Sequence, residues 1–91
     1  MGTFHHGKGE LHGITVAVDT DGPELFVGRC DTVTEHGVVL LDVDVHVEEE
    51  SGTKQSWLKR VAMAGHWPRH PRIVVPAERV TSVRRLGEVE A

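Results

Sequence analysis

Asp42, Asp44, His46 and Glu48 recur at every second position of the run Asp42-Val43-Asp44-Val45-His46-Val47-Glu48. Alternate residues of a β-strand share a face, with successive side chains about 7 Å apart on it. Asp42, Asp44 and His46 in that arrangement offer two carboxylates and an imidazole, donor types that hold divalent cations. His66 or His70 would complete the shell if the loop beyond folded over. The same alternation also describes the solvated face of an antiparallel strand. Structural metal sites usually carry paired Cys or His at tight spacing; this chain has a single Cys, and its His66/His70 pair is split by Pro68, which argues against the helix that would align them. A solvated face is the first expectation and a divalent metal the second; no other cofactor is expected.

A second group of residues suits recognition rather than coordination. Residues 54–85 hold Lys54, Lys59, Arg60, Arg69, Arg72, Arg79, Arg84 and Arg85 against the single acid Glu78, with Trp57 and Trp67 interleaved. Cations beside aromatics that can stack are the composition of a nucleic-acid surface. His66-Trp67-Pro68-Arg69-His70-Pro71 also places Trp and Arg, the types enriched at interface hot spots, in a proline-stiffened loop. Trp67, Arg69, Arg72, Arg84 and Arg85 are the expected partner-contact residues. The competing reading has Trp67 plugging one end of the fold and Trp57 serving as a core anchor. Cys30, between Arg29 and Asp31, reads as a small buried hydrophobe rather than a nucleophile. With no Gly-x-Ser-x-Gly, phosphate-cradling glycine loop or Cys-x-x-Cys present, no enzymatic activity is expected.

Charge sets a limit on these surfaces. Residues 1–50 carry eleven acids against Lys8 and Arg29, while residues 51–91 carry eight basic groups against Glu78, Glu88 and Glu90, for an overall −4. The two halves must fold onto each other, so much of the charge is expected to be neutralised internally, with Lys54, Lys59 and Arg60 near Asp42, Asp44 and Glu48. That leaves less basic surface for phosphates. One cysteine excludes an internal disulfide. With no apolar run of signal or membrane-spanning length, a soluble, cytoplasmic protein without membrane contact is expected.

The elements that must position these groups are mostly strands. Fifteen valines and ten glycines favour sheet over helix. The pattern predicts strands over 11–19, 24–33, 38–48, 72–75 and 80–86, with Gly28 marking a close approach by a neighbouring segment. Trp57, Leu58, Val61, Ala62 and Ala64 share a helical face, which predicts a helix over 53–64 ending at Gly65. The rival for 54–63 is a hairpin returning along the acidic strand. Pro76 should open a single helical turn. Residues 10–86 then form one small domain, with a flexible segment over 1–9 and a frayed tail over 87–91. Its expected core includes Ile14, Val16, Val18, Phe26, Val39, Leu41, Val43, Trp57, Val61, Val74, Val80 and Val83.

This order of elements is that of the SH3-like and Sm-like small barrels. Ile73-Val74-Val75-Pro76-Ala77-Glu78-Arg79-Val80-Thr81-Ser82-Val83 is similar to their last two strands, where a Pro-containing turn changes direction sharply. Val33-Thr34-Glu35-His36-Gly37-Val38-Val39-Leu40-Leu41-Asp42 resembles the turn and third strand of the Sm type. The resemblance implies a five-stranded barrel with a short helical insertion between strands 3 and 4, and self-association through the last two strands. It does not carry over RNA-binding residues. The Sm-type Asp and Asn of the turn correspond to Thr34 and Gly37, and the Arg-Gly pair corresponds to Pro76-Ala77. The expected function is a non-enzymatic protein interaction or assembly module, a homo-oligomer through its edge strands that also meets an unidentified protein partner. RNA binding through residues 54–85 is the alternative, and divalent-metal binding through Asp42, Asp44 and His46 the third reading.

Overall fold

A computed structural model describes residues 11–48 and 52–89; the expected flexible segment 1–9 lies outside them. Valine-rich runs separated by turn residues form β1 (Thr15–Thr20), β2 (Glu24–Thr34) and β3 (Gly37–Val47). Helix α1 (Lys54–Ala64) follows, then β4 (His70–Pro76) and β5 (Val80–Arg85). Short 3-10 turns occupy Ala77–Arg79 and Leu86–Glu88. The strands make one antiparallel sheet in the order β4-β3-β2-β1-β5. Five strands with a helix between the third and fourth agree with the sequence expectation, and the hairpin alternative for 54–63 is replaced by α1. The expected barrel is corrected in one respect. β4 pairs with β3 and β5 with β1, but not with each other, so the sheet stays open.

β3 does not alternate along its whole length. Val27 pairs with Asp44 and Arg29 with Leu41, so β3 holds one more residue than β2 in this interval. The extra residue is taken up at Asp42, whose φ of 53° lies in the left-handed region. Aspartate tolerates that region better than a β-branched residue. Gly28 sits across from the bulge. A Cβ there would lie 2.9 Å from the Leu41 carbonyl oxygen and 3.2 Å from Val43 Cγ2, the close approach anticipated for this glycine.

The bulge decides which side chains form the core. Val38 and Leu40 before it and Val43 after it all bury against Val16, Val18, Cys30 and Val75, with Phe26, Val45, Ile73, Val80 and Val83 packed around them. Strict alternation had favoured Val39 and Leu41, which are only half-buried. Val74 is 44% exposed, and its neighbour Val75 takes the core position.

The other face of the sheet is also covered. Leu58 and Val61 of α1 pack on Ala17, Leu25 and Val27, flanked by Trp57, Leu86 and Val89. The 3-10 turn at Leu86–Glu88 therefore continues the fold where fraying was expected from Gly87. Thr53 caps α1 by accepting from the Ser56 amide, and Gly65 ends it at φ 89°. The Lys54 amide donates to Glu48 Oε2 (3.1 Å), while Lys54 Nζ donates to Asp19 Oδ1 (2.7 Å), the Thr20 carbonyl (3.1 Å) and the Gly22 carbonyl (2.6 Å). All three ammonium protons are used, and they tie the start of the helix to the β1–β2 turn.

The left-handed conformation makes Asp42 sensitive to β-branching. Asp42→Val should lower unfolding free energy by about 1–2 kcal/mol, whereas Asp42→Gly should stay within about 1 kcal/mol of the parent. Urea denaturation of the two variants measures the difference.

Candidate functional site

The bulge separates the three residues proposed as metal ligands. Asp42 is exposed and pairs with Arg29 Nη2 through Oδ2 at 3.0 Å. Asp44 and His46 lie beyond the bulge on the face covered by α1 and are only 5% and 3% exposed. The expected solvated strand face is thus an internal one at these two positions. His46 Nε2 is 2.9 Å from the Gly52 carbonyl oxygen. A carbonyl only accepts, so this nitrogen carries the proton and has no lone pair for a cation. The ring stacks on Trp57, with centroids 5.1 Å apart and planes 14° from parallel. Among the described residues no three His, Cys, Asp or Glu side chains are grouped to hold a metal ion. The Asp42/Asp44/His46 ligand set is therefore not brought together.

Asp44 instead anchors the loop that carries Trp67. Its Oδ1 accepts from the Val45 amide (2.9 Å) and lies 3.4 Å from Arg69 Nε, while Oδ2 accepts from the Trp67 amide (3.1 Å). His66 Nε2 donates to the Asp42 carbonyl at 2.9 Å. Three consecutive features of the sequence (Gly65 ending the helix, His66, and the Trp67 amide) thus hold the loop against β3. The Trp67 indole is not a plug: the residue is 71% exposed.

Between this loop, β3 and the flank of α1 lies an open cleft of 470 Å³. Asp44 and His46 line its floor; Trp57 and Arg60 from α1, and Trp67 and Arg69 from the loop, line its walls. The floor groups are engaged by the bonds just described. What remains open is cationic and aromatic. Sequence reasoning found Trp67 and Arg69 but placed Trp57 in the core and Arg60 against the acidic strand. The missed signal is that Trp57, Arg60, Val61 and Ala64 fall at i, i+3, i+4 and i+7, one stripe along a helix.

The remaining expected contacts lie elsewhere. Arg72 is exposed on β4, opposite Leu41. Arg84 and Arg85 belong to β5 on the other edge of the sheet and, as successive strand residues, point to opposite faces. Arg85 Nη1 lies 3.5 Å from Glu88 Oε2. Arg69, Arg72, Arg84 and Arg85 therefore do not make one basic face. Arg79 is used internally: its bonds to Asp21 (3.0 Å) and Glu24 (2.9 Å) raise its pKa further above the ordinary arginine value. No described helix is long and apolar enough to cross a membrane. In comparisons with known proteins, the chain matches no family model and no curated protein.

Cys30 is fully buried in the main core, and burial, with a smaller contribution from Asp31, pushes its thiol pKa up from an ordinary 9.0. The native state then keeps its proton while the unfolded chain releases it. The contribution is complete below about pH 9 and falls as pH rises toward the folded value, by at most about 1.4 kcal/mol per pH unit. Alkaline denaturation series of the parent and Cys30→Ala should show a shallower loss in the variant. For the loop anchor, Asp44→Ala should cost about 2 kcal/mol and remove hydrogen-exchange protection from the Trp67 amide.

Proposed function

We propose that this protein is a non-enzymatic assembly module, similar in its order of elements to the SH3-like and Sm-like domains, self-associating through an edge strand. The observation that carries this reading is the open sheet, which leaves β4 and β5 each with one side lacking a strand partner among the described residues. The order of elements, with a 3-10 turn joining the last two strands, supports the family resemblance drawn from the valine pattern.

β4 is the better equipped edge. The Ala77 amide donates to the His36 carbonyl, and this sets the phase of the β3–β4 ladder. Hydrogen-bonding direction alternates along an antiparallel pair, so Val75 and Ile73 turn their amides toward β3 while Val74 and Arg72 turn theirs outward. Pro76 shares the outward phase, so its missing N–H leaves the β3 ladder intact, and an outer ladder keeps the Val74 bonds and the Arg72 N–H but no bond from Pro76. Val74 adds an apolar side chain that is 44% exposed. Two β4 strands related by a two-fold axis at Val74 would place Val74 against its own copy and Arg72 opposite Pro76, with no like charges opposed. Pairing β4 with β5 of another copy would instead set strands carrying Arg72 and Arg84, Arg85 side by side, adding positive charge to one ladder. An isologous dimer is therefore the favoured assembly.

Native mass spectrometry and light scattering of the whole chain should report a homodimer. Val74→Pro removes an outward N–H without touching the β3 ladder, and should yield a monomer with an unchanged circular dichroism spectrum. A parent protein that remains monomeric as its concentration is raised would overturn the proposal.

A further inference from the structure

We propose that the cleft between α1, β3 and the 65–69 loop docks a segment of a partner protein that carries a bulky apolar side chain next to a carboxylate. This inference does not rest on β4 pairing. The cleft's 470 Å³ falls within the range of about 300–1,000 Å³ typical of built binding pockets.

Its chemistry is divided between two indoles and two guanidiniums. Trp57 is half-buried against His46, giving a fixed aromatic wall, and Trp67 stands exposed on a loop already pinned by Asp44 and His66. A surface held in place before binding loses less freedom on contact, which favours affinity. Arg60 makes no ion pair among the described residues. Arg69 meets Asp44 only through Nε, at 3.4 Å, with its side chain 66% exposed. Its terminal amino groups have no partner among the described residues, so both guanidiniums are open to an incoming carboxylate. Asp44 is held by two amides and would repel a carboxylate, which directs the ligand's charge to the rim and its apolar group to the space between the indoles.

The apolar surface and the charge balance select protein over nucleic acid. Met63 and Trp67, 75% and 71% exposed, are two of the large hydrophobic residues left uncovered by the fold. Met63 lies one helical turn beyond Arg60. Trp, Met and Arg together are the residue types enriched in protein interfaces. A phosphate backbone carries charge at every step along the cleft, whereas a peptide confines its carboxylates to Arg60 and Arg69 and offers an apolar side chain to the indoles.

The chain has two tryptophans, and both line the cleft, so their indole N–H signals in a proton–nitrogen correlation spectrum report its occupancy. The probe is a short acetylated and amidated peptide of leucine and phenylalanine flanked by glutamates. It should shift both indole signals. Replacing its glutamates by glutamines, or using Arg60→Ala or Trp67→Ala protein read through Trp57, should each weaken binding by about tenfold or more. Arg60 and Trp67 are exposed, so the rest of the spectrum should stay unchanged; Arg60→Glu supplies a second, repulsive variant. The Val74→Pro protein should bind the peptide as the parent does, which separates this result from that of the assembly experiment. Indole signals unmoved by the acidic peptide, or moved equally by the glutamine peptide, would overturn the proposal. So would shifts produced by oligouridylate and lost on adding salt, which would assign the cleft to nucleic acid.

Discussion

The fold turns on the residue inserted in β3 at Asp42. Without it, an eleven-residue strand has only two ways to face a core. One phase buries Val38 and Leu40 but continues with Asp42, Asp44 and His46, sending charge into apolar surroundings at a cost of several kcal/mol. The other buries Val39, Leu41, Val43 and Val45 and turns Val38 and Leu40 away. The bulge combines the favourable half of each: Val38 and Leu40 before it, Val43 and Val45 after it. Gly28 makes room on the neighbouring strand, and Asp42 accepts the left-handed backbone. Asp44 and His46 are thereby carried to the helix-covered face, where one anchors the 65–69 loop and the other stacks on Trp57.

The uneven charge of the two halves is resolved by contacts that cross between them. Lys54 meets Asp19, Arg69 meets Asp44, and Arg79 meets both Asp21 and Glu24. Arg79 is solvent-screened, so its pairs serve mainly to place the β4–β5 turn beside the β1–β2 turn. Lys54 differs because its side chain is only 17% exposed and has three acceptors. It fixes where the helix begins, and with it the position of the helical stripe that walls the cleft. Mutual neutralisation is readable from the sequence but its pairing is not: Lys54, Lys59 and Arg60 are expected near Asp42, Asp44 and Glu48, whereas Lys54 Nζ meets Asp19 and Asp44 meets Arg69.

The legible parts of the fold were those governed by local chemistry. The valine runs, the helix ending at Gly65 and the single turn after Pro76 follow from backbone preferences of the residues themselves. Gly28 also signalled its close neighbour. The misplaced core residues share one cause: Val39 and Leu41 were favoured by a strict two-residue period that a single inserted residue shifts. Ala17, Leu25 and Val27 were missed because they face the helix, and alternation alone cannot reveal that both faces of a sheet are covered. Sheet closure depends on whether two edges separated by three other strands meet, a long-range property with no local signature.

A residue set whose types suggest metal chemistry is divided by the bulge, and two of its members line the cleft floor. Coordination requires free lone pairs converging on one point. Here the bulge diverts Asp42 to Arg29, the Asp44 oxygens are taken by two amides and a guanidinium, and His46 presents a proton to Gly52. Each bond that removes donor capacity also adds rigidity to the loop or to the Trp57 wall. The groups left over are those whose chemistry needs no lone pair: two indoles and two guanidiniums. The cleft thus sets hydrogen-bonded polar groups on its floor beneath open guanidiniums, a half-buried indole and an exposed one.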